Sequence, residues 1–418
     1  MDYRYLPATD PLIHGFIKEE EERQRTGLEL ICSENYVSPA VMEAMSSVLN
    51  NKYSEGYPGA RYYGGNEVMD KLEGEAIARA KALFDAGHAN VQPHAGAPAN
   101  IATYFGLCAP GDTILGMDLS HGGHLTHGHP VTHIAKVFKF VRYKMKSVET
   151  GAIDYDEMRR VAKAEKPRIV LAGFSAYPRE LDYKAMRSIA DEVGAYAVAD
   201  VAHIAGLIAG GVLANPFHAG FDVMLTTTHK SLRGPRGGMI LTRTAELGKK
   251  IDKAVFPGFQ GGPIMQMVAA KAVAFREAQQ PAFKVYARQV VANAKALAQR
   301  LMDQGVKLIT NGTDNHLMLA DAVKSFGKPG GDIQNVLDEC GITLNKNMIA
   351  DDPRPAMSPS GIRLGTPALT TRGMKEPEMH QVADFIVRAA RAGSNEDIAR
   401  IRGEVKDLSL RFPVPGIG

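Results

Sequence analysis

The sequence predicts an α/β protein: a larger domain with a mostly parallel sheet covered by helices on both faces, and a smaller α/β domain after it. Two observations favour this class. Between residues 90 and 243, short apolar runs alternate with helical segments, and several runs are apolar throughout rather than at every second residue. Strands of that kind are covered on both faces, as in parallel sheets. A second alternation of strands and helices begins after residue 302.

The expected strands of the larger domain are 90–92, 113–117, 168–172, 195–199, 222–226 and 238–242. Helices are expected over 10–25, 68–86, 154–164 and 183–193. In the segment 68–86, apolar side chains recur every three or four residues, which makes one stripe along a helix. That stripe consists of Leu72, Ala76, Ala80, Leu83 and Phe84.

The smaller domain is expected from about residue 285 to residue 418. Long helices over 264–302 lead into it, because residues 292–302 are good helix formers throughout. Strands are expected at 306–310, 316–320 and 361–365, with a helix at 333–340 and a terminal amphipathic helix at 376–392.

Composition narrows the functional class. The chain has 418 residues, of which 45% are hydrophobic and 23% charged, as in soluble globular proteins. A net charge of +3 is too small to indicate nucleic acid or a membrane surface as a partner. Three cysteines lie far apart without a CxxC pair, which argues against zinc ribbons and favours a cytoplasmic location. No apolar run reaches the length of a membrane-spanning helix.

A lysine among hydroxyl groups follows the expected strand 222–226. Residues 226–238 read TTTHKSLRGPRGG, with Lys230 at the centre. Schiff-base chemistry requires a lysine amine that loses its proton near neutral pH. The cations His229, Arg233 and Arg236 would lower the pKa of Lys230 if they lie close to it. The alternative is an exposed lysine before a hairpin turn.

A carboxylate follows the expected strand 195–199, in the run Asp200-Val201-Ala202-His203. The carboxyl ends of parallel strands are where α/β folds place ligands. A carboxylate there can pair with a protonated pyridine nitrogen, which keeps pyridoxal phosphate (PLP) electron-poor. The alternative is that Asp200 caps the next helix.

A turn of small residues, 91–100, joins an expected strand to a helix. Backbone N–H groups at a helix start attract phosphate, and Gly96 allows the backbone to approach closely. The alternative is a glycine needed only for packing.

Arg363 lies between two glycines and is suited to bidentate capture of a carboxylate. An ordinary surface salt bridge is the alternative.

Two further segments are unusual. Residues 121–129 contain four histidines, but they lack the HExxH pattern, so an imidazole stacked on an aromatic ring is favoured over a metal site. Residues 53–65 contain four tyrosines, a glutamate and several glycines, which predicts a loop that packs on a neighbour or on a ligand.

Taken together and in this order, these segments resemble the serine hydroxymethyltransferase family of fold-type I PLP enzymes. The resemblance runs from about residue 28 to residue 413. It includes residues 29–36 (ELICSENY), 256–263 (FPGFQGGP), 312–316 (GTDNH) and 344–347 (LNKN). It implies a large domain with a sheet of the seven-stranded, mostly parallel type.

The resemblance also implies how the coenzyme is held. Lys230 would carry PLP as a Schiff base, Asp200 would face the pyridine nitrogen, and His124 would stack on the ring. Ser175 and His203 would lie near the phenolic oxygen. The phosphate would meet the turn at Ala95, Gly96 and Ala97, with Tyr53 and Gly262 from a second subunit.

For the substrates, the resemblance implies that Ser33 and Arg363 bind the amino-acid carboxylate. Glu55 and Tyr63 of the neighbouring subunit would face the reacting side chain, together with His203. The catalytic set also includes Thr227 and His229, and no metal is expected. Tetrahydrofolate would lie near Leu119, Gly123, Leu125 and Asn347.

The implied assembly is a homodimer with shared active sites, and a tetramer stays open. Residues 1–65 would form an arm that contributes to the interface, residues 66–284 the PLP-binding domain and residues 285–418 the small domain. The expected reaction interconverts serine plus tetrahydrofolate with glycine plus 5,10-methylenetetrahydrofolate.

One departure affects the phosphate turn. Family members usually carry serines where this chain has Ala95 and Ala97, and glutamine where it has Pro98. The loss of these donors predicts weaker PLP binding than in typical relatives.

Three alternatives remain at this point. The first two are an aldolase of the threonine or allo-threonine type and an α-methylserine hydroxymethyltransferase. The third is a non-catalytic protein with the PLP fold, against which the intact Lys230, Asp200, His203 and Arg363 argue.

Overall fold

A computed structural model describes residues 3–417 of the chain. Its strands, numbered β1 to β14 in chain order, are Leu28–Glu29, Gly56–Tyr57, Ala60–Arg61, His88–Asn90, Thr113–Met117, Lys139–Tyr143, Ile169–Gly173, Tyr196–Asp200, Val223–Thr227, Gly238–Thr242, Leu317–Asp321, Ile342–Thr343, Asn345–Asn347 and Gly361–Gly365. Its α-helices, numbered α1 to α16, are Leu6–Thr9, Pro11–Thr26, Pro39–Met45, Glu67–Phe84, Gly96–Leu107, Tyr155–Glu165, Tyr183–Val193, Ala205–Ala209, Ala245–Lys253, Met265–Ala278, Pro281–Asp303, Ala322–Phe326, Gly330–Glu339, Pro367–Thr371, Glu376–Ala390 and Asn395–Leu410.

The chain forms two compact units. The larger unit is Ala40–Arg288, and the smaller unit joins the described parts of Met1–Pro39 and Gln289–Gly418. This division differs from the expected separate arm at 1–65. The reason is that β1 near the N-terminus pairs in parallel with β12, so the first part of the chain folds with the C-terminal part.

The larger unit contains a seven-stranded sheet with the order β4-β10-β9-β8-β7-β5-β6. Neighbouring strands from β9 to β6 run parallel, and β10 is antiparallel to both β9 and β4. All five residues of β7, of β9 and of β10 are buried. Uninterrupted apolar runs therefore mark strands covered on both faces, and the predicted fold class is confirmed.

Helices α6 and α7 show how the sequence sets an element boundary. Asp154 and Asp182 stand at their N-caps, and each carboxylate accepts a backbone N–H from three residues further on. These bonds satisfy donors that the first helical turn leaves without a partner. Both helices therefore begin within a residue of the predicted position.

The smaller unit has its own core. Strand β14 pairs antiparallel with β11 on one side and with β13 on the other. Buried side chains from β11 and β14 and from α13, α15 and α16 form one apolar cluster with α11 residues from Ala294 onward.

Arg372 ties three segments of the smaller unit together from a buried position. Its Nε donates to Phe412 O at 2.7 Å, and its Nη1 donates to Gly27 O at 2.7 Å and to Gln24 O at 3.1 Å. Its Nη2 donates to Arg25 O at 3.0 Å and to a carbonyl near the end of α16. One guanidinium thereby serves backbone acceptors at the ends of α2 and α16.

Three sequence predictions fail locally. The expected strand at 306–310 is wrong: only an isolated bridge at Leu308 forms, because Thr310 and Asn311 adopt left-handed backbone angles with φ of 69° and 52°. The helix at 376–392 is not terminal, since α16 follows it. Strand β6 was missed because charged side chains interrupt this edge strand.

Among residues 3–417, no helix combines the length and the apolar composition that crossing a membrane requires.

Replacing Arg372 by methionine should destabilise the chain strongly. Several backbone carbonyls would lose their donor inside the protein, so we expect a loss of about 3 kcal/mol or more in the free energy of unfolding. Urea unfolding measures this loss in the free energy of unfolding. Arg388→Met is the matched control, because Arg388 pairs with Glu404 on the surface and should cost about 1 kcal/mol or less. Equal losses in the two variants would contradict this account of Arg372.

Candidate active site

The carboxyl ends of three neighbouring parallel strands place several predicted residues at one edge of the sheet. Gly173 at the end of β7 pairs with Asp200 at the end of β8, and Asp200 pairs with Leu225 of β9. The segments after these strands carry Ser175, His203 and Lys230 respectively. These three residues of the larger unit therefore follow neighbouring strand ends at one edge of the sheet, as the parallel arrangement predicts.

Asp200 is buried, and three groups donate to its carboxylate. Asn100 Nδ2 and His127 Nε2 each lie 3.0 Å from Oδ2, and the backbone N–H of Ala202 lies 3.0 Å from Oδ1. Burial alone would raise the pKa of Asp200, but the hydrogen bond from His127, the fields of His127 and His124 and the bond from Asn100 outweigh it. The pKa is held below its ordinary range, so Asp200 is an anion at neutral pH.

The backbone fixes which nitrogen of His127 carries the proton. Its Nδ1 accepts the N–H of His124 at 3.2 Å. Nε2 is therefore the nitrogen that donates to Asp200.

His124 is oriented by its own local cap. Its Nδ1 accepts the backbone N–H of Thr126 at 3.1 Å and lies 2.7 Å from Thr126 Oγ1. Asn100 Nδ2 also donates to that hydroxyl, at 2.7 Å. The imidazole predicted to stack on the coenzyme is thus linked to the partners of Asp200.

Lys230 lies in a turn held by backbone bonds. Arg233 N donates to Lys230 O at 3.0 Å, with Arg233 at a φ of 62°, and Gly234 N donates to Thr228 O at 2.7 Å. The guanidinium of Arg233 lies over the ring of Tyr286, 4.8 Å from its centroid.

The Lys230 turn is also linked to the Asp200 segment. Ser231 Oγ donates to His203 O at 2.7 Å, and Thr227 Oγ1 donates to Ala202 O at 3.4 Å. His203 is buried, and its Nε2 lies 3.5 Å from Ser175 Oγ. These contacts bring together Ser175, His203, Thr227 and the turn of Lys230.

His229 is mostly buried beside Lys230. Burial lowers its pKa to about 4, and the charges of Lys230 and Arg236 act in the same direction. Its buried Nδ1 has no hydrogen-bond partner among residues 3–417. The ring is therefore neutral at pH 7.

The predicted phosphate turn begins α5. Ala95 is the N-cap and provides no side-chain bond to the exposed N–H groups of the first turn. A Cβ on Gly96 would lie 2.7 Å from Thr227 Cγ2, so only glycine allows this approach to the strand that leads to Lys230. Free donors at a helix start, next to that strand, suit a phosphate group.

The residues expected near tetrahydrofolate divide between the units. Leu119, Gly123 and Leu125 lie in one loop of the larger unit. A Cβ on Gly123 would come within 2.3 Å of Met117 O, so the loop passes close to the end of β5. Asn347 belongs to the smaller unit.

Tyr53, Glu55, Tyr63 and Gly262 form a second cluster in the larger unit. The rings of Tyr53 and Tyr63 meet edge to face at 5.3 Å. A Cβ on Gly262 would lie 3.6 Å from the Tyr53 ring and 3.8 Å from Glu55 Cγ. Tyr53 and Tyr63 remain 59% and 47% exposed in the single chain.

The smaller unit carries Ser33 and Arg363, both half-buried. Arg363 lies on β14 opposite Asn345 of β13, and its Nε donates to Asn345 Oδ1 at 3.1 Å. That bond orients the guanidinium from its Nε side.

Comparison with known proteins decides the family. The family model for serine hydroxymethyltransferase matches residues 6–386. A serine hydroxymethyltransferase of Koribacter versatilis is 54% identical over 411 residues, which are 98% of this chain and 95% of that protein. The chain belongs to the serine hydroxymethyltransferase family. Another relative of that name, from a Cyanothece species, is 53% identical over 413 residues, 98% of this chain and 96% of that protein.

Membership in the serine hydroxymethyltransferase family confirms the expected fold type, enzyme class and cofactors. PLP is the coenzyme, and tetrahydrofolate is the co-substrate. The residues present fit PLP: Asp200 is a buried anion suited to a pyridinium, and the start of α5 offers backbone donors to a phosphate.

Sequence reasoning gave no role to Asn100 or His127, although both touch Asp200. His127 lay inside the noted histidine cluster, so its spacing from His124 was a usable signal. Asn100 carried none, because it is 100 residues from Asp200 and only the fold brings the two together.

Lowering the pH should cost stability through His229. The unfolded pKa is about 6.5 and the folded pKa about 4, so between these values the unfolded chain binds more protons. Stability therefore falls as the pH is lowered, and from pH 7.5 to pH 5 this group should cost about 2 kcal/mol. Urea unfolding of the coenzyme-free chain should show a loss larger by that amount than in His229→Gln.

His133→Gln is the control, because His133 is exposed. This variant should lose as much stability as the unsubstituted chain when the pH is lowered. The account of His229 fails if His229→Gln loses as much stability as the unsubstituted chain over this pH range.

Proposed function

We propose that this chain catalyses the reversible transfer of a hydroxymethyl group between serine and tetrahydrofolate at a site organised around Asp200 and Lys230. The single observation that carries the proposal is the buried anion of Asp200, at the end of β8 and linked through His203 O to the turn of Lys230. When bound, PLP supplies an aromatic ring that takes up the electrons of the bond broken at the substrate's α-carbon.

The protein's own residues bind and orient that ring. The Asp200 carboxylate would pair with the ring nitrogen and favour its protonated form, because His127 and Asn100 keep the carboxylate charged. Lys230 provides the amine that attaches the coenzyme. The N–H groups at Gly96 and Ala97 bind the phosphate, as α5 has no side-chain cap of its own.

Two histidines complete the ring site. His124, whose orientation is set by Thr126, would stack on the ring. His203 and Ser175, whose Nε2 and Oγ atoms lie 3.5 Å apart, would hold the phenolic oxygen. Thr227 and His229 flank Lys230, and the neutral His229 adds no charge beside the amine.

Substrate binding in this proposal follows the roles that the family resemblance implies. Arg363 and Ser33 bind the amino-acid carboxylate, and Asn345 holds Arg363 in position. Leu119, Gly123, Leu125 and Asn347 bind tetrahydrofolate.

The working form is a homodimer in which Tyr53, Glu55, Tyr63 and Gly262 enter the neighbouring site. Two observations support this: these residues cluster with one another, and the two tyrosine rings stay largely exposed in one chain. Glu55 then transfers protons at the hydroxymethyl group. The three cysteines form no disulfide, which agrees with a cytoplasmic location.

Glycine formation from serine should depend on tetrahydrofolate. We expect at least roughly a tenfold increase in rate when tetrahydrofolate is added, since it accepts the one-carbon unit. The assay measures glycine and methylenetetrahydrofolate together, with α-methylserine and allo-threonine as competing substrates. Faster cleavage of allo-threonine without folate would point to an aldolase, and a preference for α-methylserine to that hydroxymethyltransferase; either result would refute the proposal.

Shared active sites predict complementation between two inactive variants. Lys230→Ala and Glu55→Gln should each lose activity alone. In co-expressed random dimers, half the molecules are mixed and have one intact site, so about a quarter of full activity should return. If both residues serve the same chain's site, every site in the mixture carries a defect, and the absence of recovery would sink the shared-site arrangement.

A further inference from the structure

The short segment that leads into the phosphate turn lies outside the strands and keeps one backbone bond to the sheet, from Gly238 N to Pro93 O at 2.9 Å. Strand β4 ends at Asn90 and α5 begins at Gly96. Two side chains from outside the segment bind further backbone groups between them: Lys271 of α10 and Gln260.

Lys271 holds this segment with three hydrogen bonds. Its Nζ donates to Val91 O at 2.6 Å, to Pro93 O at 3.0 Å and to Gly238 O at 2.9 Å. The first two carbonyls belong to the segment, and the third belongs to the first residue of β10. The ammonium thereby links the segment before the phosphate turn to β10 of the central sheet.

Gln260 holds the same segment from another side. Its Nε2 donates to Gln92 O at 3.0 Å, and its Oε1 accepts the N–H of His94 at 3.0 Å. Both side chains bind backbone atoms only, so their contacts set the path of the segment whatever its side chains are.

Three acceptors match the three protons of an ammonium, which favours the charged form of Lys271. Its side chain is buried, and burial lowers its pKa to about 7 while the Glu73 carboxylate opposes that fall. Glu73 is itself held by Arg61 Nη2 at 2.7 Å and by Gln92 Nε2 at 2.8 Å. Burying a cation costs free energy, so its presence here indicates a structural or functional role for Lys271.

The turn beyond this segment depends on its backbone alone for binding phosphate. Residues 95–98 are Ala, Gly, Ala and Pro, which bring no side-chain donor. A Cβ on Gly238 would lie 2.4 Å from Ala95 O, so the turn packs directly against β10. Lys271 donates to Gly238 O of the same strand. A small shift of the segment would misdirect the N–H groups at the start of α5.

We propose that Lys271 is a positioning residue for the coenzyme phosphate: it fixes the path of residues 91–95 so that the N-terminus of α5 faces the phosphate. The inference rests on the proposed function, because it assumes that PLP binds at Lys230.

Lys271→Met removes the ammonium and keeps a side chain of similar length. The readout is the dissociation constant of the coenzyme-free chain for PLP and for pyridoxal, which lacks the phosphate. We expect PLP binding to weaken roughly tenfold or more and pyridoxal binding to change little, so the preference for the phosphorylated form falls. Arg79→Met is the matched control, because Arg79 Nη1 donates to Ala272 O on the same helix without touching the turn.

An unchanged preference in folded Lys271→Met would overturn the inference, and so would an equal weakening for both ligands, which marks a general structural defect. If Lys271→Met does not fold, Gln260→Met is measured by the same criterion, since it removes the other two bonds to the segment. A separate outcome tests the proposed function itself: an unsubstituted chain that binds neither PLP nor pyridoxal refutes that function.

Discussion

The buried negative charge of Asp200 is the constraint on which the rest of the active site depends. A carboxylate without partners in this position would take up a proton, because burial penalises the charged form. Asn100, His127 and the backbone of Ala202 prevent this by donating three hydrogen bonds. The tautomer of His127, and through Thr126 the orientation of His124, follow from the same requirement. The segment before the proposed phosphate turn has a comparable constraint, in which Lys271 and Gln260 bind its backbone beside a single bond from Gly238 of β10.

Much of this architecture can be predicted from the sequence. Short runs, several of them apolar throughout, led to strand predictions that overlap six of the seven central strands, since strands buried on both faces leave a strong compositional signal. The prediction for β4 was the least accurate, because 90–92 shares only Asn90 with it. The polar residues that follow such strands then indicated Asp200 and Lys230. Strand β6 escaped because it lies at the edge of the sheet and contains Lys139 and Arg142. Helix α16 had a usable signal in Ser394, whose side chain caps it by accepting the N–H of Asp397.

The supporting residues could not be predicted in the same way. His127 meets Asp200 across 73 positions, and Lys271 meets Val91 across 180. A buried lysine in an apolar helix gives no sequence signal for the carbonyls it will bind, because the fold alone brings them together. The tyrosine-rich segment was recognised as a loop that needs a partner, and its exposed rings agree with that expectation.

The attachment of PLP to Lys230 is the central claim, and chemical reduction tests it most directly. Borohydride treatment of the coenzyme-loaded protein, followed by peptide mapping, should find the reduced coenzyme on the peptide that contains Lys230. The buried Lys271 provides an internal comparison. Burial lowers the pKa of its amine, but that amine is already bound to three carbonyls. Label on Lys271 or another lysine, or no covalent label at all, would contradict the account.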